Sequence, residues 1–168
     1  SIIKLPQPVI AQIHGTAAAA GCQLVATCDL AIASTTAKFA TPGVNIGLFC
    51  STPMVAVSRK LPRKKMMEML LMGDLVDAET ALEFGLINRV VAYDQLEETV
   101  SNYANKIKEK SPLVLKIGKE AFYNQIDMPL ADAYKYTAEV MTQNMLVQDA
   151  NEGINAFIEK RAPTWTGK

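Results

Sequence analysis

The sequence has few of the residues that build disulfide scaffolds or metal sites. It contains three cysteines and one histidine in 168 residues. An odd and sparse cysteine count argues against a disulfide scaffold and for a reducing compartment. Cys22, Cys28 and Cys50 also lack the spacing of metal ligands, so we predict no metal site.

Net charge and long apolar runs are lacking too. Seventeen Lys and Arg side chains balance seventeen Asp and Glu, so the formal net charge is zero and predicts no nucleic-acid partner. No apolar run reaches the roughly 18 residues of a membrane span, and no signal or transit peptide is visible. We therefore expect no membrane partner. The chain opens directly at a strand, from which we expect that an N-terminal part lies outside this sequence.

The residues that are present favour one α/β domain. Hydrophobic residues make up 49% and charged residues 20% of the chain, which is long enough for a sizeable core. Apolar strands at 8–13 and 29–33 flank a short helix at 20–27, a pattern typical of a parallel crossover. Periodicity and turn residues predict further strands at 38–41 and 86–91, and helices at 53–60, 63–72, 78–84, 94–110, 112–125, 129–147 and 151–161.

The stretch 9–29, VIAQIHGTAAAAGCQLVATCD, combines strand, turn and helix. Four alanines and a glycine leave the first helical turn almost without side chains. A ligand can approach such a backbone closely, and the free N–H groups of a first turn attract negative charge or a developing oxyanion. Close packing of helix against strand explains the same residues, so this stretch alone leaves both interpretations open.

Four segments follow one another along the chain: HGTAAAAGCQLVATCDLAIAS, KFATPGVNIGLF, GDLVDAETALEFGLINRVV and EGINAFIEKRAPTW. In this order they resemble the signature segments of the crotonase (enoyl-CoA hydratase/isomerase) superfamily. The resemblance covers nearly the whole chain and the later part of the family's domain. It implies an α/β fold of ClpP/crotonase type, a ββα spiral in residues 1–92, followed by a helical trimerisation region in 93–168. It also implies mitochondrial fatty-acid metabolism.

The resemblance further implies an acyl-CoA thioester as the ligand, with no cofactor besides the coenzyme A of the substrate. Crotonases bind the thioester oxygen with two backbone N–H groups. One of these maps to Ala20, and the other lies outside this sequence. A homotrimer or a dimer of trimers is the implied assembly. The substrate-binding candidates are Ala20, Gly21, Gln23, Gly43 and Ser51.

Both catalytic glutamates of hydratases are missing from the matching positions. The motifs place Gln23 and Gly43 where the resemblance implies the two carboxylates. Gln23 can hydrogen-bond a water but cannot take its proton, and Gly43 has no side chain. We therefore assign no catalytic residue, and expect acyl-CoA binding with weak or no hydration.

Two alternatives remain open at this point. The first is another acyl-CoA reaction that needs only the oxyanion hole, such as thioester hydrolysis or decarboxylation. The second is a non-catalytic RNA-binding or regulatory protein, which the zero net charge weighs against. Cys50 is either a loop thiol with a lowered pKa, because it lies near a predicted helix start, or a buried inert thiol.

Overall fold

The computed structural model describes residues 2–168 and divides into two compact units. The sheet unit is Val9–Ala104, and the helical unit is Asn105–Lys168 with the N-terminal residues up to Pro8. The predicted boundary between residues 92 and 93 refers to the family's trimerisation region and stays a prediction. Within the described residues, no helix is both long and apolar enough to cross a membrane.

The first sheet of the sheet unit is entirely parallel. It consists of β1 (Ile10–Ile13), β3 (Leu30–Ser34) and β6 (Arg89–Val91), in the order β1-β3-β6. Four of the five residues of β3, from Ala31 to Ser34, are buried, as expected for a central strand that reads as a continuous apolar run. The crossover from β1 to β3 through a short helix confirms the parallel arrangement predicted from the sequence.

The second sheet holds two strands that sequence patterning missed. It consists of β2 (Thr16–Ala18), β4 (Lys38–Ala40) and β5 (Val76–Asp77), with β2 parallel and β5 antiparallel to β4. Strands of two or three residues are too short to show alternation, and Thr-Ala-Ala resembles the start of the helix that follows. The predicted strands at 38–41 and 86–91 are present, but they are shorter than expected.

The four α-helices that lie wholly within the sheet unit begin where the sequence predicts. They are α1 (Ala20–Thr27), α2 (Pro53–Val57), α3 (Arg63–Met72) and α4 (Ala78–Glu83). α1 and α3 match the predicted bounds to the residue, and Gly73 ends α3 in the left-handed conformation. The Asp77 carboxylate accepts a hydrogen bond from the Thr80 N–H at 2.8 Å and so caps α4. Thr52, directly before α2, makes no side-chain cap bond.

The core of the sheet unit surrounds Phe39, which has no solvent-exposed surface. Cys22 of α1, Val57 of α2 and Met66 of α3 belong to the same buried cluster. Methionine fills irregular gaps between elements, so the methionine-rich α3 packs one face against this core.

Within residues 2–168, the helical unit contains three complete α-helices and the 3₁₀ turn Ile2–Lys4, and a fourth α-helix crosses into it from the sheet unit. α5 (Leu96–Lys108) spans the boundary, and α6 (Pro112–Gln125), α7 (Leu130–Met145) and α8 (Gln148–Glu159) follow. The bounds of α6 are as predicted, with proline at its first position.

A buried carboxylate fastens the last residues of the chain to this unit. Asp149 is 1% exposed and accepts hydrogen bonds from the Ser111 hydroxyl at 2.6 Å and the Gly167 N–H at 3.0 Å. The N–H and the hydroxyl of Thr166 donate to its other oxygen at 2.7 and 2.9 Å. The bond from Ser111 is the main cause that lowers the pKa of Asp149 to about 2; burial opposes this shift.

We predict that Asp149 contributes stability that acid removes. Its folded-state pKa of about 2 lies below the unfolded value of about 3.9, so the contribution is complete above roughly pH 4 and disappears as the pH falls towards 2. Asp149→Asn should lower the melting temperature at neutral pH and flatten its decline between pH 4 and 2. Thermal unfolding across this range measures both effects.

The matched control is Asp127→Asn, the same change at an exposed residue. It should leave the melting curve close to that of the wild type. Equal effects of the two substitutions would show that the hydrogen bonds of Asp149 do not stabilise the fold.

Candidate active site

The candidate site lies where β2 and β4 end. Their parallel pairing places Ala18 opposite Ala40, and a helical segment begins two residues after each strand. These segments are α1 and the 3₁₀ turn Pro42–Ile46. Because the carboxyl ends of parallel strands meet at one side of a sheet, both starts lie at this side, where open α/β sheets bind ligands. We call it the β2–β4 edge.

The backbone of Ala19 sets the direction of the first helical N–H group. The Ala19 N–H donates to the Ala40 carbonyl at 2.9 Å, and the Ala19 carbonyl accepts from the Gln23 N–H at 3.0 Å. In a trans peptide the C=O and N–H point in opposite directions, so the Ala20 N–H points out of the N-terminal end of α1. Ala20 is exposed, and within residues 2–168 its N–H has no protein acceptor. The donor predicted from the sequence is therefore available to a ligand.

Gln23 and Gly21 lie in the first turn of α1, as predicted. Gln23 is half-buried, and its side-chain amide has no hydrogen-bond partner among the residues that the structure describes. The amide can therefore bind a water or a ligand oxygen, but it has no proton to exchange near neutral pH. A Cβ added at Gly21 would meet Ala17 at an ordinary 3.9 Å, so Gly21 is not required by space.

Gly43 is required by space. It is buried, and its φ lies outside the left-handed range. A Cβ added there would lie 2.9 Å from the Leu48 carbonyl oxygen and 3.0 Å from Cys50 Sγ. The Gly43 N–H donates to the same sulfur at 3.3 Å. A backbone carbonyl and a thiol thus fill the room that a side chain at position 43 would need.

The thiols at this edge are buried. Cys22 and Cys50 are 0% and 7% exposed, so of the two interpretations of Cys50 the buried thiol is confirmed. Burial raises the pKa of Cys22 to about 12, helped by the proximity of Cys50 and opposed by a hydrogen bond with the Ala40 backbone. Cys22 therefore stays protonated at neutral pH, and the protein shields Cys50 from solvent.

Ser51 is the one candidate without a structural link to the edge. It is exposed, and its hydroxyl donates to the Phe49 carbonyl at 3.3 Å within its own loop. Its role in binding stays a prediction.

Sequence reasoning missed two features of the edge. Thr41, between β4 and the 3₁₀ turn, is fully buried, and its hydroxyl has no hydrogen-bond partner within residues 2–168. Ala19 has φ 49° and ψ −111°, a conformation that side chains rarely adopt. Neither residue type signals such an environment, because contacts with residues distant in sequence decide the burial of a hydroxyl and the backbone angles of an alanine.

A comparison with known families shows the family of the chain. The sequence model of the enoyl-CoA hydratase/isomerase family matches residues 1–168. The chain belongs to this family. Enoyl-CoA hydratase domain-containing protein 3, mitochondrial, of Xenopus laevis is 51% identical, over 96% of this chain and 55% of the relative. The Homo sapiens protein of the same name is 50% identical, over 96% of this chain and 53% of the relative. The chain thus spans about half the length of the curated relatives it matches.

Solved structures of family members confirm the predicted crotonase fold. A Mycobacterium smegmatis enoyl-CoA hydratase superposes with a TM-score of 0.96 at 49% identity, over 98% of this chain and 64% of that one. Human enoyl-CoA hydratase domain-containing protein 3 gives 0.95 at 49% identity, over 98% and 65%.

We predict that Gly43→Ala destabilises this family member. The new methyl would lie 2.9 Å from a backbone oxygen that cannot rotate away, and such overpacking costs about 1–3 kcal/mol. Urea unfolding measures the loss. Gly15→Ala is the control, since nothing lies within 4 Å of a Cβ at Gly15, and its effect should stay within about 0.5 kcal/mol. If Gly43→Ala leaves the free energy of unfolding unchanged, the loop that contains Leu48 and Cys50 can move aside at no cost.

Proposed function

We propose that this protein binds an acyl-CoA thioester at the β2–β4 edge and acts in mitochondrial fatty-acid metabolism. The observation that carries the proposal is the exposed Ala20 N–H, which points out of the start of α1 without a protein acceptor. A preorganised backbone donor at a helix N-terminus stabilises an oxygen that gains negative charge, such as that of a polarised thioester. The coenzyme A is part of this ligand, and we propose no further cofactor.

The names of the relatives support this ligand class and location. The vertebrate relatives are named mitochondrial enoyl-CoA hydratase domain-containing proteins. A Thauera aromatica relative, 36% identical over 98% of this chain and 65% of its own length, is named (E)-benzylidenesuccinyl-CoA hydratase. All these names refer to a coenzyme A thioester, but they refer to different acyl groups.

The same edge argues against efficient hydration. Hydration needs groups that remove a proton from water and return one to carbon, and each such group contributes about a hundredfold to ten-thousandfold. Position 23 holds an amide, and position 43 has no room for a side chain. Cys22, with a pKa of about 12, cannot act as a base near neutral pH. We therefore propose that the site polarises the thioester of a bound enoyl-CoA and that the protein hydrates this ligand slowly.

A hydration assay tests this proposal in the full-length protein. We expect it to bind crotonyl-CoA but to hydrate it at least about a hundredfold more slowly than a typical hydratase. Gln23→Glu should raise the rate, because it restores one titratable group. Adding Gly43→Glu should cost stability, since the added side chain meets the Leu48 carbonyl.

Gln12→Glu is the matched control, the same change at an exposed residue of β1. A wild-type rate typical of hydratases that survives Gln23→Ala would show that other groups catalyse hydration. If the wild type does not bind crotonyl-CoA, the proposed function is wrong.

We also propose that the full-length protein forms a homotrimer or a dimer of trimers through its helical unit. Phe157, Leu146 and Leu130 are 85%, 72% and 75% exposed on or beside α7 and α8. Exposed patches of large apolar side chains mark interaction surfaces. We propose that these side chains are buried against other copies of the chain in the assembly.

Phe157→Lys should lower the mass measured by light scattering at micromolar concentration. A charge buried in an apolar interface without a partner is strongly unfavourable, so the assembly should dissociate. Leu75→Lys, a similar change at a 61% exposed residue of the sheet unit, is the control and should preserve the assembly. A folded wild-type monomer would contradict the proposed assembly.

A further inference from the structure

Ala19 is held in a strained conformation directly before α1. Its φ of 49° and ψ of −111° suit glycine, and among the described residues only Lys160 shares a positive φ without being glycine. The Ala19 side chain packs against the buried cluster of the sheet unit. Such strain persists only where the surroundings fix the conformation, and it concentrates at functional sites.

Hydrogen bonds fix the peptide groups on both sides of Ala19. Its N–H is held by Ala40 at 2.9 Å and its carbonyl by the Gln23 N–H at 3.0 Å. The peptide that contains this carbonyl also contains the Ala20 N–H. Any rotation about the backbone bonds of Ala19 would therefore turn the Ala20 donor.

A second unfavourable feature lies beside the same hydrogen bond. Thr41 follows Ala40, whose carbonyl holds the Ala19 N–H, and its hydroxyl is fully buried without a partner within residues 2–168. A buried hydroxyl without a hydrogen bond reduces stability. Strain and an unpaired hydroxyl therefore occur next to each other at the β2–β4 edge, where folding alone gains nothing from either.

We propose that Ala19 is a positioning residue for the thioester. Its methyl, anchored in the core, and its strained backbone hold the Ala20 N–H at a fixed angle to the carbonyl oxygen of the ligand. This inference rests on the proposed acyl-CoA site. The new element is that Ala19 itself, together with its hydrogen bonds, keeps the Ala20 N–H aligned with the thioester oxygen.

The test compares Ala19→Gly with Lys160→Gly in the full-length protein. Both changes place glycine at a positive φ, but Lys160 ends α8 in the helical unit and has no part in the site. The measurements are the melting temperature, the affinities for crotonyl-CoA and free coenzyme A, and the infrared C=O stretch of bound crotonyl-CoA labelled with carbon-13 at the carbonyl.

We expect both variants to keep or raise the melting temperature, because glycine relieves the strain. Ala19→Gly should weaken crotonyl-CoA binding by about tenfold, roughly the contribution of one hydrogen bond to a ligand oxygen. Its C=O stretch should shift towards the value of the free thioester. Affinity for free coenzyme A, which has no thioester, should not change.

Two results would overturn the inference, and they have different consequences for the proposed function. If Ala19→Gly matches Lys160→Gly in crotonyl-CoA affinity and C=O frequency, the strain at Ala19 has no role in ligand binding and the proposed site survives. Ala20→Pro removes the donor itself. If this variant binds crotonyl-CoA as tightly as the wild type, the thioester site is elsewhere and the proposed function fails with the inference.

Discussion

The parallel pairing of β2 with β4 is the interaction on which the candidate site depends. It continues one residue beyond the strands, as the hydrogen bond from the Ala19 N–H to the Ala40 carbonyl. This bond determines where α1 starts and which way its first free N–H points. It also brings the 3₁₀ turn that contains Gly43 to the same edge. Two strands of three residues each thereby place the Ala20 donor and the turn that contains Gly43 at one edge.

Space at this edge is the structural argument for the proposal of slow hydration. A glutamate at position 23 could be introduced by mutation, but the room at position 43 is occupied by the Leu48 carbonyl and the Cys50 thiol. The loop lies against the position, and the Gly43 N–H contributes a hydrogen bond to the sulfur. Dense packing of this kind yields only when backbone moves, so a side chain at position 43 would require a shift of the loop as well.

The helical unit combines a fully hydrogen-bonded buried carboxylate with an exposed apolar surface. Asp149 joins the start of α6 to residues 166 and 167, and its lowered pKa reflects four hydrogen bonds. Phe157, which like Asp149 belongs to α8, is 85% exposed. The four hydrogen bonds of Asp149 hold the start of α8 in place. An apolar face on a fixed helix suits association, because little conformational freedom is lost on binding.

The sequence by itself determined the long elements and the chemistry of the site residues. α1, α3 and α6 were predictable to the residue, because apolar periodicity, Pro112 and Gly73 are local signals. The identities of Gln23 and Gly43 were likewise sufficient to show that no carboxylate stands at either position. Only the tertiary structure showed β2 and β5, the burial of Cys50, the strain at Ala19 and the unpaired Thr41 hydroxyl. Each of these depends on contacts between residues distant in sequence, and an alanine, a threonine or a cysteine carries no local sign of the neighbours it will meet.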